Sequence, residues 1–114
     1  SFDSAYRAMK RLVEKYPDLT AVFAMSDVMA IGAIRALRDM DYRVPEDISV
    51  VGFDNYLYPG FPDKKITSYE VNTQVMVKVA LEKALKQIKN PASGRGLSVV
   101  SGKIVEKESV RKKI

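Results

Sequence analysis

Hydrophobic positions along the chain alternate between helical spacing and short continuous runs. In the first sixteen residues, charged side chains separate the apolar positions, which are Ala5, Met9, Leu12, Val13 and Tyr16. This period predicts an amphipathic helix that ends before Pro17. Residues 21–25 are then all apolar, a pattern typical of a strand buried on both faces. The chain therefore opens with a helix and a buried strand.

The same two patterns continue along the rest of the chain. A second helix follows Ser26 and runs to about Met40, with Asp27 as its expected N-cap. The apolar run 48–53 predicts a second strand, and residues 66–71 predict a third. A long helix with a broad apolar face is expected from Asn72 or Thr73 to about residue 89. Residues 97–110 are expected to form one or two strands interrupted at glycine 102.

Proline and glycine place loops at residues 56–65 and 90–96. The alternation of helices and strands between these loops predicts an α/β fold. Such a fold has a mostly parallel open sheet, flanked by helices and joined by right-handed crossovers.

Polar residues follow the first two predicted strands directly. Ser26 and Asp27 follow the first strand, and Asp54 and Asn55 follow the second. Ligands of open α/β sheets bind outside the carboxyl ends of the strands, so both pairs are expected at one edge and in one pocket. The Asp54 carboxylate is a natural acceptor for sugar hydroxyls or a base N–H, although it could instead only open a turn. Asp27 is expected to act mainly as a helix cap at this cleft.

The composition narrows the possible chemistry. Hydrophobic residues make up 46% and charged residues 29% of the chain, a balance typical of a folded domain. The sequence has no cysteine and no histidine, which excludes disulfides, thiolate chemistry and imidazole catalysis. Neither a dinucleotide fingerprint nor a P-loop is present. We therefore expect a binding protein rather than an enzyme, with no cofactor and no metal.

The net charge of +5 is spread along the long helix and the last residues rather than clustered. Spaced lysines are typical of a solvated helix face, so the chain by itself is not expected to bind DNA. The apolar runs are too short to cross a bilayer, and we expect a soluble protein with no membrane partner.

Two stretches resemble the lactose-repressor (LacI/GalR) family of bacterial transcription regulators. They are residues 21–33 (AVFAMSDVMAIGA) and residues 44–55 (VPEDISVVGFDN). Residues 66–68 (ITS) are similar to the family's Leu-Thr-Thr crossover, and residues 105–109 (VEKES) to its closing Val-x-Arg-x-Ser. The resemblance covers nearly the whole chain, in the family's order and spacing.

The resemblance implies the later part of an effector-binding domain of the periplasmic-binding-protein-like type I fold. Residues 1–65 and 97–114 would belong to the carboxyl-terminal lobe, and residues 66–96 would pack on the other lobe. Family members are cytoplasmic repressors that bind a small molecule, such as a sugar or a nucleobase, between the lobes. They contact operator DNA through a helix-turn-helix head, which this chain does not contain.

The resemblance also implies site residues. The family's ligand-contacting aspartate falls on Asp54, with Ser26 and Asn55 as neighbouring ligand contacts. Ser26 stands where asparagine is usual and Val71 where glutamine is expected, and Lys107 replaces the closing arginine. Either the effector is smaller or less hydroxylated than a typical hexose, or the cleft uses residues outside this chain.

In relatives, the helix after the capping aspartate and the loop after the second strand form a homodimer interface. The corresponding residues are Ala30, Ala33, Ile34, Tyr56, Tyr58 and Phe61. Gly32 would allow close approach of the second copy, although the loop aromatics could instead fold back on their own subunit.

Two other functions share parts of this pattern. A sugar-binding receptor of an ABC importer has the same fold and would carry an export signal. The nucleotide-binding half of a doubly wound oxidoreductase would need phosphate-binding glycines that the chain lacks.

Overall fold

The computed structural model describes residues 1–56, 59–60, 65–93 and 95–113. The elements in chain order are α1 (Phe2–Lys15), β1 (Ala21–Phe23), α2 (Asp27–Asp39), β2 (Ser49–Asp54), β3 (Thr67–Glu70), α3 (Thr73–Lys89) and β4 (Lys103–Val105). The strands form one sheet in the order β1-β2-β3-β4, and β1, β2 and β3 are parallel. The predicted mostly parallel α/β fold is confirmed.

The prediction of one or two strands in the closing segment is confirmed in part. Residues 97–110 contain one short strand, β4, which begins directly after glycine 102. Beyond β4, Ser109 bonds to β2 and β3 through its side chain and its backbone. Its hydroxyl accepts from the Thr67 N–H at 2.8 Å and donates to the Val50 carbonyl at 2.5 Å, and its carbonyl accepts from the Val50 N–H at 2.8 Å. This buried serine ties the closing segment to β2 and β3.

The cap of α2 also differs from the prediction. Ser26 is the N-cap: its backbone is extended and its hydroxyl accepts from the Met29 N–H at 3.3 Å. Asp27 is already helical, and its carboxylate is buried and accepts from the Ser68 hydroxyl at 2.7 Å. The smaller serine satisfies the helix terminus, which leaves the aspartate for a contact inside the fold.

Helices α1 and α2 pack closely against each other. A β-carbon on Gly32 would overlap the Phe2 carbonyl oxygen in the first turn of α1. Gly32 therefore allows close packing against α1 within the fold, which is a different neighbour from the second copy expected above. The core beneath these helices consists of Met9, Val13, Ala24, Ala30, Ala33, Ala36, Leu37, Ile48, Val50 and Ile66.

This packing corrects two of the predicted interface residues. Ala30 is 0% exposed and Ala33 is 4% exposed, so neither can contact a second copy. Ile34 is only partly buried and remains accessible on α2. Tyr56 is 61% exposed, whereas Tyr58 and Phe61 lie outside the described residues.

An ion pair closes the turn before β2. The Asp47 carboxylate accepts from the Arg43 backbone N–H at 2.7 Å and from the Arg43 Nε and Nη2 atoms at 3.0 and 2.9 Å. The bonds from the Arg43 side chain, followed by the bond from its backbone, lower the pKa of Asp47 to about 2. The turn is therefore held by a charged carboxylate down to acidic pH.

This ion pair predicts a specific acid sensitivity. The pKa of Asp47 lies below its usual 3.8, so its contribution to stability is complete above pH 3.8 and is lost as pH falls towards about 2. In thermal unfolding measured by circular dichroism, the wild-type melting temperature should fall more steeply over this range than that of Asp47→Asn. Parallel pH profiles for the two proteins would contradict the prediction.

The chain divides into two compact units, residues 1–70 with 104–114 and residues 71–103. In the second unit, the Asn72 side chain caps α3, and the Lys83 ammonium donates to the glycine 96 carbonyl at 2.8 Å. No residue of α3 is buried. These units divide at residues 70 and 103 rather than 65 and 96, and their assignment to two lobes stays a prediction. Within the described part of the chain, no helix is both long and apolar enough to span a membrane.

Candidate functional site

The predicted polar pairs lie at one edge of the sheet. In the parallel register, Phe23 of β1 is the partner of Val51 in β2. Ser26 and Asp54 each lie three residues beyond this register pair, so both are at the carboxyl edge. The structure thus confirms that the two strand ends share an edge, where α/β proteins bind ligands.

The last residue of β2 and the first residue after it have an unusual backbone and begin a turn. Asp54 has a φ of 101° and Asn55 a φ of 49°, both in the left-handed region that non-glycine residues rarely adopt. The Asp54 carboxylate accepts from the Tyr56 N–H at 3.2 Å, which closes the turn on itself. Such conformations persist only where surrounding contacts hold them, and they concentrate at functional sites.

Charged neighbours on both sides orient the Asn55 side chain. Its Nδ2 donates to Glu70 Oε1 at 3.1 Å, and its Oδ1 accepts from the Lys107 ammonium at 3.0 Å. Glu70 is also the register partner of Asp54 across the β2–β3 pair. Two carboxylates, an amide and an ammonium therefore meet at this edge.

Two buried side chains, Ser68 and Asp27, support this turn from inside the fold. The Ser68 hydroxyl donates to Asp27 Oδ1 at 2.7 Å and accepts from the Asn55 N–H at 3.1 Å. A β-carbon on Gly52 would overlap the same Asp27 oxygen. The absence of a side chain at Gly52 therefore admits the Asp27 carboxylate.

An aromatic pair borders the polar turn. The rings of Phe53 and Tyr69 are register partners on β2 and β3 and stack with centroids 5.2 Å apart and planes 15° apart. Phe53 is 36% exposed. An apolar surface beside a few convergent polar groups is typical of small-molecule sites.

The sequence did not indicate Ser68 or Glu70 as site residues, and it marked Lys107 only as a substitution. One signal was available. Ser68 and Glu70 are two positions apart in a predicted strand and therefore share one face. Two polar residues on one face of a strand indicate that this face makes polar contacts rather than apolar core packing.

A separate groove lies beside the amino ends of β2 and β3, with a volume of about 860 Å³. Its apolar lining comprises Phe2, Ile31, Ile34, Val44, Pro45 and Ile66. The lining also contains charged residues of both signs, namely Arg35, Arg38, Glu46, Lys65 and Glu108. This groove is distinct from the strand-end cluster and contains Ile34 of the predicted interface.

Comparison with known proteins gives a consistent assignment. Residues 1–110 match the family described as periplasmic binding protein-like domain. The transcriptional regulator MalR of Clostridium butyricum is 33% identical over 106 residues, which are 93% of this chain and 31% of MalR. The transcriptional regulator CelR of Thermobifida fusca is 41% identical over 76 residues, 67% of this chain and 22% of CelR.

A solved structure agrees with these relatives. The complex of the transcriptional regulator CelR with cellobiose superposes with a TM-score of 0.85 at 32% identity, and covers 96% of this chain and 33% of that one. The chain thus spans about a third or less of the length of these relatives. It belongs to the periplasmic binding protein-like domain family, and its sequence resembles part of transcription regulators such as MalR and CelR.

Proposed function

We propose that the chain is part of the effector-binding domain of a ligand-responsive transcription regulator and that the carboxyl edge of its sheet binds a sugar. The observation that carries this proposal is the strained Asp54–Asn55 turn, held between Glu70 and Lys107 at the strand ends. The solved structure of CelR with cellobiose matches nearly the whole length of this chain, and it supports a sugar as the ligand class.

The side chains at this edge suit a hydroxylated ligand. Carboxylate oxygens of Asp54 accept from sugar hydroxyls, while the ammonium of Lys107 donates to them. A serine hydroxyl has one proton and two lone pairs, so Ser26 can cap α2 and still bond to a ligand. Glu70 provides a carboxylate one residue before Val71, where the expected glutamine is missing.

In the whole protein, ligand binding would change the affinity for operator DNA. A ligand shifts a conformational equilibrium only by its difference in affinity for the two states. We propose that the sugar favours one arrangement of the lobes and so couples to a DNA-binding head elsewhere in the protein. Such a regulator would act in the cytoplasm.

We further propose that the groove beside α2 binds a second copy of the chain. Its apolar centre, which includes Ile31 and Ile34, is bordered by charges of both signs. An apolar core with a polar rim is the usual anatomy of a protein interface. In a two-fold dimer the same patch is used on both copies, so positive and negative rim groups can face each other. Tyr56, at the carboxyl end of β2, does not line this groove and stays a separate prediction as an interface residue.

A binding experiment on the full-length protein tests the ligand site. A thermal-shift panel of cellobiose, maltose, ribose and purine bases should show stabilisation by a sugar, because a ligand that binds the folded state raises its apparent stability. Asp54→Asn keeps the shape and the acceptor for Tyr56 but removes the charge. This variant should bind the sugar about 10- to 100-fold more weakly, because it loses the charge of one charge-assisted hydrogen bond. Isothermal titration calorimetry measures the affinity.

Asp41→Asn is the matched control. Asp41 also has a left-handed backbone, with a φ of 63°, and lies exposed after the other end of α2. Its substitution should leave sugar affinity unchanged. Equal affinities for wild type and Asp54→Asn, or no sugar that stabilises the wild type, would contradict the proposed site.

A further inference from the structure

Two fully buried polar groups lie behind the Asp54–Asn55 turn rather than at its surface. Asp27 is the first residue of α2 and Ser68 is in β3, and neither side chain is accessible to solvent. Their bonds therefore connect a helix terminus and a strand to the turn between β2 and β3.

The last bond of this connection fixes the backbone of the turn. The Ser68 hydroxyl accepts from the Asn55 N–H at 3.1 Å. The direction of that N–H depends on the left-handed conformations of Asp54 and Asn55. The buried Ser68 hydroxyl stabilises the turn only while Asp54 and Asn55 keep this conformation, because any other conformation would point the Asn55 N–H away from the hydroxyl.

Asp27 determines which way the Ser68 hydroxyl points. A hydroxyl has a single proton, and donation to Asp27 at 2.7 Å leaves its lone pairs for the Asn55 N–H. The same carboxylate oxygen of Asp27 lies directly against Gly52. The carboxylate therefore has little room to move, and it keeps the serine in the accepting orientation.

We propose that Asp27 and Ser68 are positioning residues of the effector site. They hold the Asp54–Asn55 turn in its ligand-binding conformation before the ligand arrives, which lowers the ordering cost of binding. The inference rests on the proposed function for its ligand. The conformation of the turn can nevertheless be measured without a ligand.

The test replaces Ser68 in the full-length protein and uses two measurements. In Ser68→Ala, hydrogen–deuterium exchange of the peptide containing Asn55 should become about tenfold faster, because the buried acceptor is lost. Cellobiose, used as the probe, should bind about tenfold more weakly by calorimetry. Ser68→Thr retains the hydroxyl and should restore both values towards wild type.

Ser109→Ala is the matched control. Ser109 is also buried and also bridges two groups, the Thr67 N–H and the Val50 carbonyl. Its loss should lower the melting temperature without faster exchange at Asn55 or weaker cellobiose binding.

The outcomes separate the two proposals. Unchanged exchange at Asn55 in Ser68→Ala, or an equal increase in Ser109→Ala, overturns the positioning role. Faster exchange with unchanged cellobiose affinity overturns it as well. If exchange becomes faster in Ser68→Ala alone while the wild type binds no sugar of the panel, the support of the turn stands and the proposed ligand class fails.

Discussion

Replacement of Gly52 by alanine should destabilise the protein by about 3 kcal/mol, at the upper end of the usual cost of overpacking a core. The added methyl would overlap Asp27 Oδ1 and would lie 3.3 Å from Ile66 Cγ2. Neither neighbour can move easily, since Asp27 is bonded to Ser68 and Ile66 is in the core. The midpoint of urea unfolding, followed by circular dichroism, measures the loss.

A double-mutant cycle identifies the cause of this loss. If the methyl acts through the Asp27 carboxylate, Gly52→Ala should cost less than half as much in an Asp27→Ala background, since the overlapping oxygen is then absent. The same cost in both backgrounds would assign the effect to Ile66 or to the backbone of β2. Gly52→Ala should also weaken sugar binding, because the displaced aspartate no longer orients Ser68.

Ile34→Glu should dissociate the proposed homodimer. A charge placed in the apolar centre of the groove costs about 3 kcal/mol when the interface desolvates it. This cost corresponds to a more than hundredfold weaker dimer, since every 1.4 kcal/mol is about tenfold. Analytical ultracentrifugation of the full-length protein should show a dimer for the wild type and a monomer for the variant at equal concentration.

Controls separate dimerisation from folding in this experiment. Leu12→Glu places the same charge on an exposed position of α1 outside the groove and should leave the dimer intact. Arg38→Glu changes an exposed charge at the groove without disturbing the core, and it should weaken the dimer in a salt-dependent way. A wild-type monomer, or an unchanged dimer for Ile34→Glu, would refute the proposed interface.

The helices and strands could largely be predicted because each has a local pattern. Helix α3 follows from the apolar spacing after Asn72, and β2 follows from an apolar run that ends at polar residues. The parallel arrangement then placed Ser26 and Asp54 at one edge without knowledge of any contact. The closing segment is predicted only in part, because its apolar residues suggest longer strands, whereas beyond β4 the hydroxyl and carbonyl of Ser109 bond it to β2 and β3.

Individual roles within predicted elements were harder to infer. Either Ser26 or Asp27 could cap α2, and the sequence offers no local reason to prefer the serine. The small residues Ala30 and Ala33 suit either a close partner or an internal neighbour, and only the position of α1 decides for the latter. Short polar or small side chains are compatible with several environments, so the pattern alone leaves their partners open.

The sequence by itself determined the order of the elements, the fold class and the sheet edge at which Asp54 lies, because these depend on local periodicity and on the geometry of parallel sheets. Only the tertiary structure decided which side chains meet there. Ser68 bonds to Asp27 across 41 positions of the chain, and Lys107 bonds to Asn55 across 52. Contacts between such distant positions arise from the packing of whole elements, which leaves no local trace in the sequence.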